Sequence, residues 1–178
     1  MKAEAHSPWP QGKAPDAAYC SENERLSVIA SFGLESFSAD PELEDITRFA
    51  AQLCGTGMAT VSLVEEERQR FLASEGLEET ETARSTSFCA HTMLSGSIME
   101  VLDATQDDRF ADFSSVTGSM HLRYYAGAPL ISEEGAPLGA LCVFDSAIRK
   151  EPLNEVQRKG LEFSPVPSCA DCRHAGPV

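Results

Sequence analysis

The amino-acid sequence predicts an α+β domain in which helices pack against a mostly antiparallel sheet. Three observations carry that expectation. Two capped, amphipathic stretches begin at Ser21 and Asp40. Alternating and apolar runs of strand length follow from Met58. A hairpin pattern closes the series between Arg123 and Asp145, R-Y-Y-A-G-A-P-L-I-S-E-E-G-A-P-L-G-A-L-C-V-F-D. Helical runs followed by runs of strands place a chain in the α+β class.

The elements are justified in order. Residues 1–20 are rich in Pro, Ala and Gly and lack periodicity, so a disordered tail is expected there. Ser21 with Glu24 three residues on is a capping box, and Leu26, Ile29 and Ala30 supply the apolar stripe of the first helix up to Gly33. Asp40-Pro41-Glu42 is an Asp cap with Pro in the first turn. Leu43, Ile46, Phe49, Ala50 and Leu53 follow it at helical spacing, and Gly55 and Gly57 stop the helix. Met58 to Val64 alternates as a strand, Glu65 to Glu67 turn the chain, and Arg70 to Ser74 return. Ser87 caps a short helix holding Phe88, Cys89, His91 and Met93, and 97–102 is a short strand. Residues 103–122 read as a long loop, a length that in compact domains often marks function. In the hairpin, Gly135 supplies the positive φ that the turn needs, and Leu138 to Phe144, apolar on both faces, is expected at the sheet centre. Tyr124 and Tyr125 must point to opposite faces, one toward a core or cavity. Pro152-Leu153-Asn154 opens a last helix with Val156, Gly160 and Leu161, which Pro165 and Pro167 stop. One domain over 21–163 is expected, followed by an irregular tail at 164–178.

The chain has 178 residues with 28 acids against 14 bases, a formal net charge of −14. Such a field repels phosphate backbones and anionic lipid, so nucleic acid and membrane are not expected partners. No apolar run approaches the ~20 residues of a membrane span, and the N-terminus shows no signal-type segment. A cytoplasmic location with reduced thiols is the expectation.

Candidate chemistry is sparse. Cys89 and His91 stand two apart, which on a helix turns them away from each other, so Cys89 reads as packing, as do Cys54 and Cys142. Cys169 and Cys172 with His174 form a single pair where a zinc site wants four ligands, and Arg173 breaks a haem-attachment pattern. Asp103, Asp107, Asp108 and Asp112 lack the glycine and distal acid of a calcium loop. Asp107 is expected to cap a turn and Arg109 to tie the loop down by an ion pair. No catalytic or metal-binding constellation is expected.

These residues, taken in order, resemble the GAF domain family, in particular sensory modules of bacterial histidine kinases and diguanylate cyclases. The resemblance is carried by E-R-L-S-V-I-A-S-F-G-L at 24–34, D-I-T-R-F-A-A-Q-L at 45–53, A-T-V-S-L-V at 59–64 and R-Q-R-F-L-A-S-E-G-L at 68–77. It continues through R-S-T-S-F-C-A-H-T at 84–92, D-D-R-F at 107–110 and the two strands of the hairpin. It implies a PAS-like fold with a central antiparallel sheet, helices on one face and pocket-forming loops on the other. Carried over position by position, the ligand-binding candidates are Phe88, His91, Asp107, Arg109, Phe110, Tyr124 and Tyr125. Bilin-binding relatives use a cysteine next to a histidine; here Ala90 intervenes, which argues against a bilin. The ligand stays unidentified. The resemblance implies a sensory or regulatory module that binds a small molecule or a protein partner, with no output domain in this chain and a signalling partner in trans. The alternatives are a ligand-free scaffold that forms a homodimer through its N- and C-terminal helices, and a thiol-dependent reductase of the free methionine sulfoxide reductase type.

Overall fold

The computed structural model describes residues 21–33, 40–133 and 135–162. The expected tails, with Cys20 and the Cys169, Cys172 and His174 group, lie outside the described residues. Helix α1 spans Glu22–Ser31 and α2 spans Pro41–Cys54. Strands β1 (Met58–Val64), β2 (Arg68–Glu75) and β3 (Glu81–Ala83) follow. A 3-10 turn, Arg84–Thr86, leads into α3 (Phe88–Thr92), then β4 (Met99–Val101) and α4 (Ser114–Thr117). The hairpin strands are β5 (Tyr124–Ile131) and β6 (Pro137–Asp145), and α5 is Glu155–Glu162.

The caps act as their residue types dictate. The Glu24 N–H donates to Ser21 Oγ at 3.2 Å and the Ser21 N–H donates to Glu24 Oε2 at 2.8 Å, satisfying two amides that the helix itself leaves open. Asp40 Oδ1 accepts from the Glu42 N–H at 2.9 Å, and α2 ends where Gly55 takes φ 66°. The hairpin turn closes through the Gly135 N–H on the Ser132 carbonyl at 2.9 Å, with Gly135 at φ 88°.

All six strands form one antiparallel sheet in the order β3-β2-β1-β6-β5-β4. β6 lies near its centre, as its two-sided apolar pattern predicts. One face packs α1, α2 and α5 through Ile29, Leu43, Ala50, Val61, Leu141, Val143 and Leu161. The other carries α3, α4 and the long connection through Phe88, Cys89, Phe110, Phe113, Val116 and Tyr125. The chain therefore builds the α+β sheet its sequence predicts, with helices on one side and a thinner, loop-rich layer on the other.

Several local expectations are corrected. Phe49 is 59% exposed; the buried line of α2 runs instead through Leu43, Thr47, Ala50, Ala51 and Cys54. Ala30 is exposed, and Arg25 takes its place beside Ile29 on the buried side of α1. Val156 points outward at 69% exposure, while Leu153 and Leu161 anchor α5. The acidic stretch after β2 contains the edge strand β3, held in register with β2 from Arg68↔Ala83 to Arg70↔Glu81. The connection 103–122 contains α4 and a 3-10 turn at 104–106.

Candidate functional site

Between the loop-rich layer and the sheet lies a cavity of about 200 Å³. Its floor is sheet: Thr60 on β1, Cys142 and Phe144 on β6, Tyr125 on β5, Gln69 and Phe71 on β2. Its roof is Ser87, Phe88 and Cys89 from the start of α3, Ser114 and Ser115 of α4, then Met120 and Leu122. None of the lining side chains is charged.

Strand register sets the floor. Thr60, Cys142 and Gly127 are direct neighbours across β1, β6 and β5. Gly127 is required here: a Cβ at this position would fall on the Tyr125 hydroxyl, 2.9 Å from Tyr125 Cζ and 3.1 Å from Thr92 Cγ2. The missing side chain is the space in which the Tyr125 hydroxyl reaches α3. There it bonds Thr92 Oγ1 at 2.7 Å and Cys89 Sγ at 3.3 Å. Thr60 Oγ1 lies 3.0 Å from Cys142 Sγ, and the two sulfurs are 3.6 Å apart.

The roof is pinned by Ser87. Its Oγ accepts the Ala90 N–H at 3.0 Å, capping α3, and its hydroxyl donates to Gln69 Oε1 on β2. Phe88 stacks on Phe110, with centroids 4.1 Å apart and planes at 19°, and its ring lies 4.9 Å from that of Tyr125. Ser115 differs from the other wall residues. Its hydroxyl is buried and has no hydrogen-bond partner among the described residues. A buried hydroxyl without a partner costs about 1–3 kcal/mol, and this one belongs to a residue of the cavity wall.

Ionisation in the wall follows from burial and hydrogen bonding. Burial works against a charge on Cys89, but hydrogen bonds from Cys142, from Ser62 (whose hydroxyl otherwise donates to the Ala140 carbonyl) and from Tyr125 outweigh it, so Cys89 sits below the ordinary thiol range. Cys142 is pushed well up by its hydrogen bond to Cys89 and by burial. Burial, then the neighbouring thiols, push the Tyr125 phenol up. Cys54, buried on the opposite face, is pushed by burial to about 11, with Arg149 opposing and Glu100 adding to the rise.

Of the seven residues singled out from the sequence, Phe88 and Tyr125 line the cavity. Tyr124 stands on the opposite face, as strand alternation requires once Tyr125 faces the loops; its hydroxyl donates to Glu100 Oε1 at 3.0 Å, and Arg149 lies over its ring. Phe110 is fully buried behind Phe88, with His91 edge-on to it at 5.0 Å. Arg109 lies over the Phe110 ring at 4.7 Å and grips Asp107 through Nε at 2.9 Å and Nη2 at 2.7 Å. That grip holds the Asp107 carboxyl below its usual range. These four form a brace beyond the cavity wall. The polar wall residues missed from sequence include Thr60, Gln69, Ser114 and Ser115. A signal for Thr60 existed: polar residues recur at alternate positions, Thr60 and Ser62, in a strand that is buried from Ala59 on. Nothing in S-S-V-T distinguishes Ser115 from an ordinary loop serine.

Among the described residues no group of three His, Cys, Asp or Glu is placed to hold a metal ion, and no helix is long and apolar enough to cross a membrane.

A six-stranded antiparallel sheet with a helical layer on one face and a cavity under short helices and loops on the other is a PAS-like α+β architecture. The chain belongs to the GAF domain family, whose profile matches residues 38–163. It is 42% identical over 124 residues to a cyclic di-GMP phosphodiesterase of Pseudomonas aeruginosa, a match that takes in 70% of this chain and 21% of that protein. The chain thus spans about a fifth of that relative's length. Among solved structures, the GAF domain of an Acinetobacter phosphoenolpyruvate-protein phosphotransferase superposes with a TM-score of 0.53 at 16% identity, covering 79% of this chain and 87% of that one. A type II free methionine-R-sulfoxide reductase from Thermoplasma acidophilum superposes at 0.56 with 13% identity, covering 72% and 87%. At such identities the structures show a shared fold.

Proposed function

We propose that this chain is a regulatory GAF module that binds a small, uncharged, hydrogen-bonding molecule in the cavity over Tyr125. The unpartnered Ser115 hydroxyl in a wall without charges is the observation that carries this reading. A cavity of about 150 Å³ accommodates benzene, so about 200 Å³ suits a ligand slightly larger than one six-membered ring. A cyclic dinucleotide is too large and too anionic for this wall. The cyclic di-GMP phosphodiesterase relative supports a role in regulating an output activity rather than in binding that activity's substrate. The output would lie in a protein that this module is joined to or meets in trans.

Amide NMR of the full chain, titrated with uncharged ring-sized compounds and their carboxylate analogues, tests the reading. Shifts confined to Ser87, Cys89, Ser115 and Tyr125 are expected with the uncharged set. Equal binding of the carboxylates, or shifts only at the outer surface, would overturn it.

A second reading, a homodimer, has one supporting observation: Phe49 and Val156 stand exposed on α2 and α5, two helices that pack together. Light scattering of wild type and of Phe49→Ser with Val156→Ser decides it; a wild-type monomer sinks the dimer.

A further inference from the structure

We propose that Cys89 and Cys142 form a hydroperoxide-reactive dithiol, Cys89 attacking and Cys142 resolving. The inference goes beyond ligand binding and stands without it. Four observations point there. The two sulfurs are 3.6 Å apart and belong to opposing layers, α3 and β6. Both residues line the cavity, which gives a small oxidant a route to them although each is almost fully buried. Hydroxyls converge on the pair: Tyr125 on Cys89 at 3.3 Å, Thr60 on Cys142 at 3.0 Å. Hydrogen bonds from Cys142, Ser62 and Tyr125 favour a charge on Cys89 against burial, and the thiolate is the nucleophilic form. Cys54, on the opposite face of the sheet, supplies an internal contrast: burial raises it to about 11.

The chemistry balances. The Cys89 thiolate attacks one oxygen of the hydroperoxide, and the O–O bond breaks. Its electron pair leaves on the second oxygen, which takes a proton and departs as water or an alcohol. Cys89 is now a sulfenic acid. The Cys142 sulfur attacks the Cys89 sulfur, the S–O bond breaks, and hydroxide leaves with the Cys142 proton as water. The peroxide gains two electrons and the dithiol loses two. A disulfide needs about 2.05 Å between sulfurs, so the two sulfurs must close by about 1.5 Å from the observed contact. Tyr125 and Thr60 then lose their thiol partners, so oxidation rewrites the cavity floor. The dithiol would make the same module responsive to peroxide as well as to a bound molecule.

The test uses the full chain with Cys20, Cys169 and Cys172 changed to Ser, reduced and then treated with hydrogen peroxide or cumene hydroperoxide. Non-reducing peptide mapping should give one Cys89–Cys142 cross-link with Cys54 unmodified. Cys142→Ser should stop at a dimedone-reactive sulfenic acid on Cys89, and Cys89→Ser should leave Cys142 unreacted. Tyr125→Phe should slow the first step yet yield the same cross-link. The mapping of the parent chain needs no variant to fold. Cys89 and Cys142 remaining reduced, Cys54 oxidising as fast as Cys89, or the urea-unfolded chain reacting as fast as the folded one would each overturn the proposal.

Discussion

Replacing Glu22 with Gln should destabilise this domain far more than its position in the first turn of α1 suggests. Glu22 Oε1 meets Arg25 Nη2 at 2.8 Å and Arg84 Nη1 at 2.6 Å, and its Oε2 accepts from Arg25 Nε at 3.0 Å. The two arginine side chains are 0% and 1% exposed; the carboxylate is 28% exposed. Removing one partner of a buried ion pair costs about 3–5 kcal/mol, because the other charge stays buried. The partial exposure of Glu22 puts the expectation at the low end, about 3 kcal/mol. At about 2–4 °C per kcal/mol for a domain of this size, Tm should fall by roughly 10 °C. Acid gives an independent handle. Burial opposes the charge on Glu22, but hydrogen bonds from Arg25 and Arg84 outweigh it and lower its pKa from 4.5. A carboxylate lowered in the fold stabilises above its unfolded value, and that stability is lost as pH falls through the folded value. The gap between Glu22→Gln and wild type should therefore be full at pH 7 and shrink below pH 4.5. Urea unfolding followed by far-ultraviolet ellipticity at both ends of that range measures it. Glu155→Gln, whose carboxylate is 80% exposed, is the control and should change nothing measurable. A pH 7 loss below about 1 kcal/mol would refute the reasoning. It would mean that carbonyls alone hold the guanidiniums, Val64 for Arg25 at 2.6 Å and Glu65 for Arg84 at 2.9 Å.

Three further outcomes are expected. Gly127→Ala drives a methyl into the space of the Tyr125 hydroxyl and should cost about 1–3 kcal/mol as overpacking; a double-mutant cycle with Tyr125→Phe should recover part of it, and an unchanged cost with Phe at 125 would place the clash elsewhere. Ser115→Ala removes a buried hydroxyl without a partner and should raise stability by about 1 kcal/mol in thermal unfolding, while weakening any cavity ligand seen by NMR. Phe88→Ala takes a ring from a four-aromatic cluster with Phe110, Phe113 and Tyr125; it should cost about 3–5 kcal/mol, with partial thermal rescue by benzene entering the enlarged space.

The parts of the fold legible in sequence are those set by local rules. Capping at Ser21 and Asp40 and the paired runs of the hairpin depend on neighbours a few residues away, so the helices α1 and α2 and the strands β5 and β6 can be read directly. The strand β3 could not be read, because three residues within an acidic run carry no period; Arg68 pairs with Glu81 at 2.8 Å, and its register with β2 exists only in three dimensions. Alternation along β5 required Tyr124 and Tyr125 to part, yet only the loop layer's position shows that Tyr125 meets the cavity. Asp107, Arg109, Phe110 and His91 cluster as the D-D-R-F stretch suggests, but they pack on one another, on Phe88 and on Met99 and do not line the cavity. Burial of Arg25 and Arg84 was illegible for a general reason: arginine is almost never fully buried unless paired, and Glu22 lies 62 residues from Arg84.

The Glu22 carboxylate also bears on how the cavity communicates with the rest of the domain. Arg84 stands at the head of the roof segment, three residues before the Ser87 cap of α3. Arg25 reaches the other end, with Nη1 3.9 Å from Met93 Sδ, while also bonding the Val64 and Pro137 carbonyls on the ends of β1 and β6. One carboxylate on the first turn of α1 therefore fastens that helix to both ends of the cavity roof and, through Arg25, to the sheet. The roof cannot tilt without straining a charge network whose cationic members have almost no access to water. α2 is held differently: its buried line is apolar apart from Thr47, and the directional bonds on its last turn, Arg149 Nη1 to the Cys54 carbonyl at 2.6 Å and Gln157 Nε2 to the Leu53 carbonyl at 3.0 Å, tie it to the α5 side of the sheet and not to the cavity roof. Apolar packing tolerates small slides at little cost, whereas a directional buried ion pair does not. A displacement at Cys89 or Tyr125, such as the proposed ligand or disulfide would cause, would reach α1 through this network.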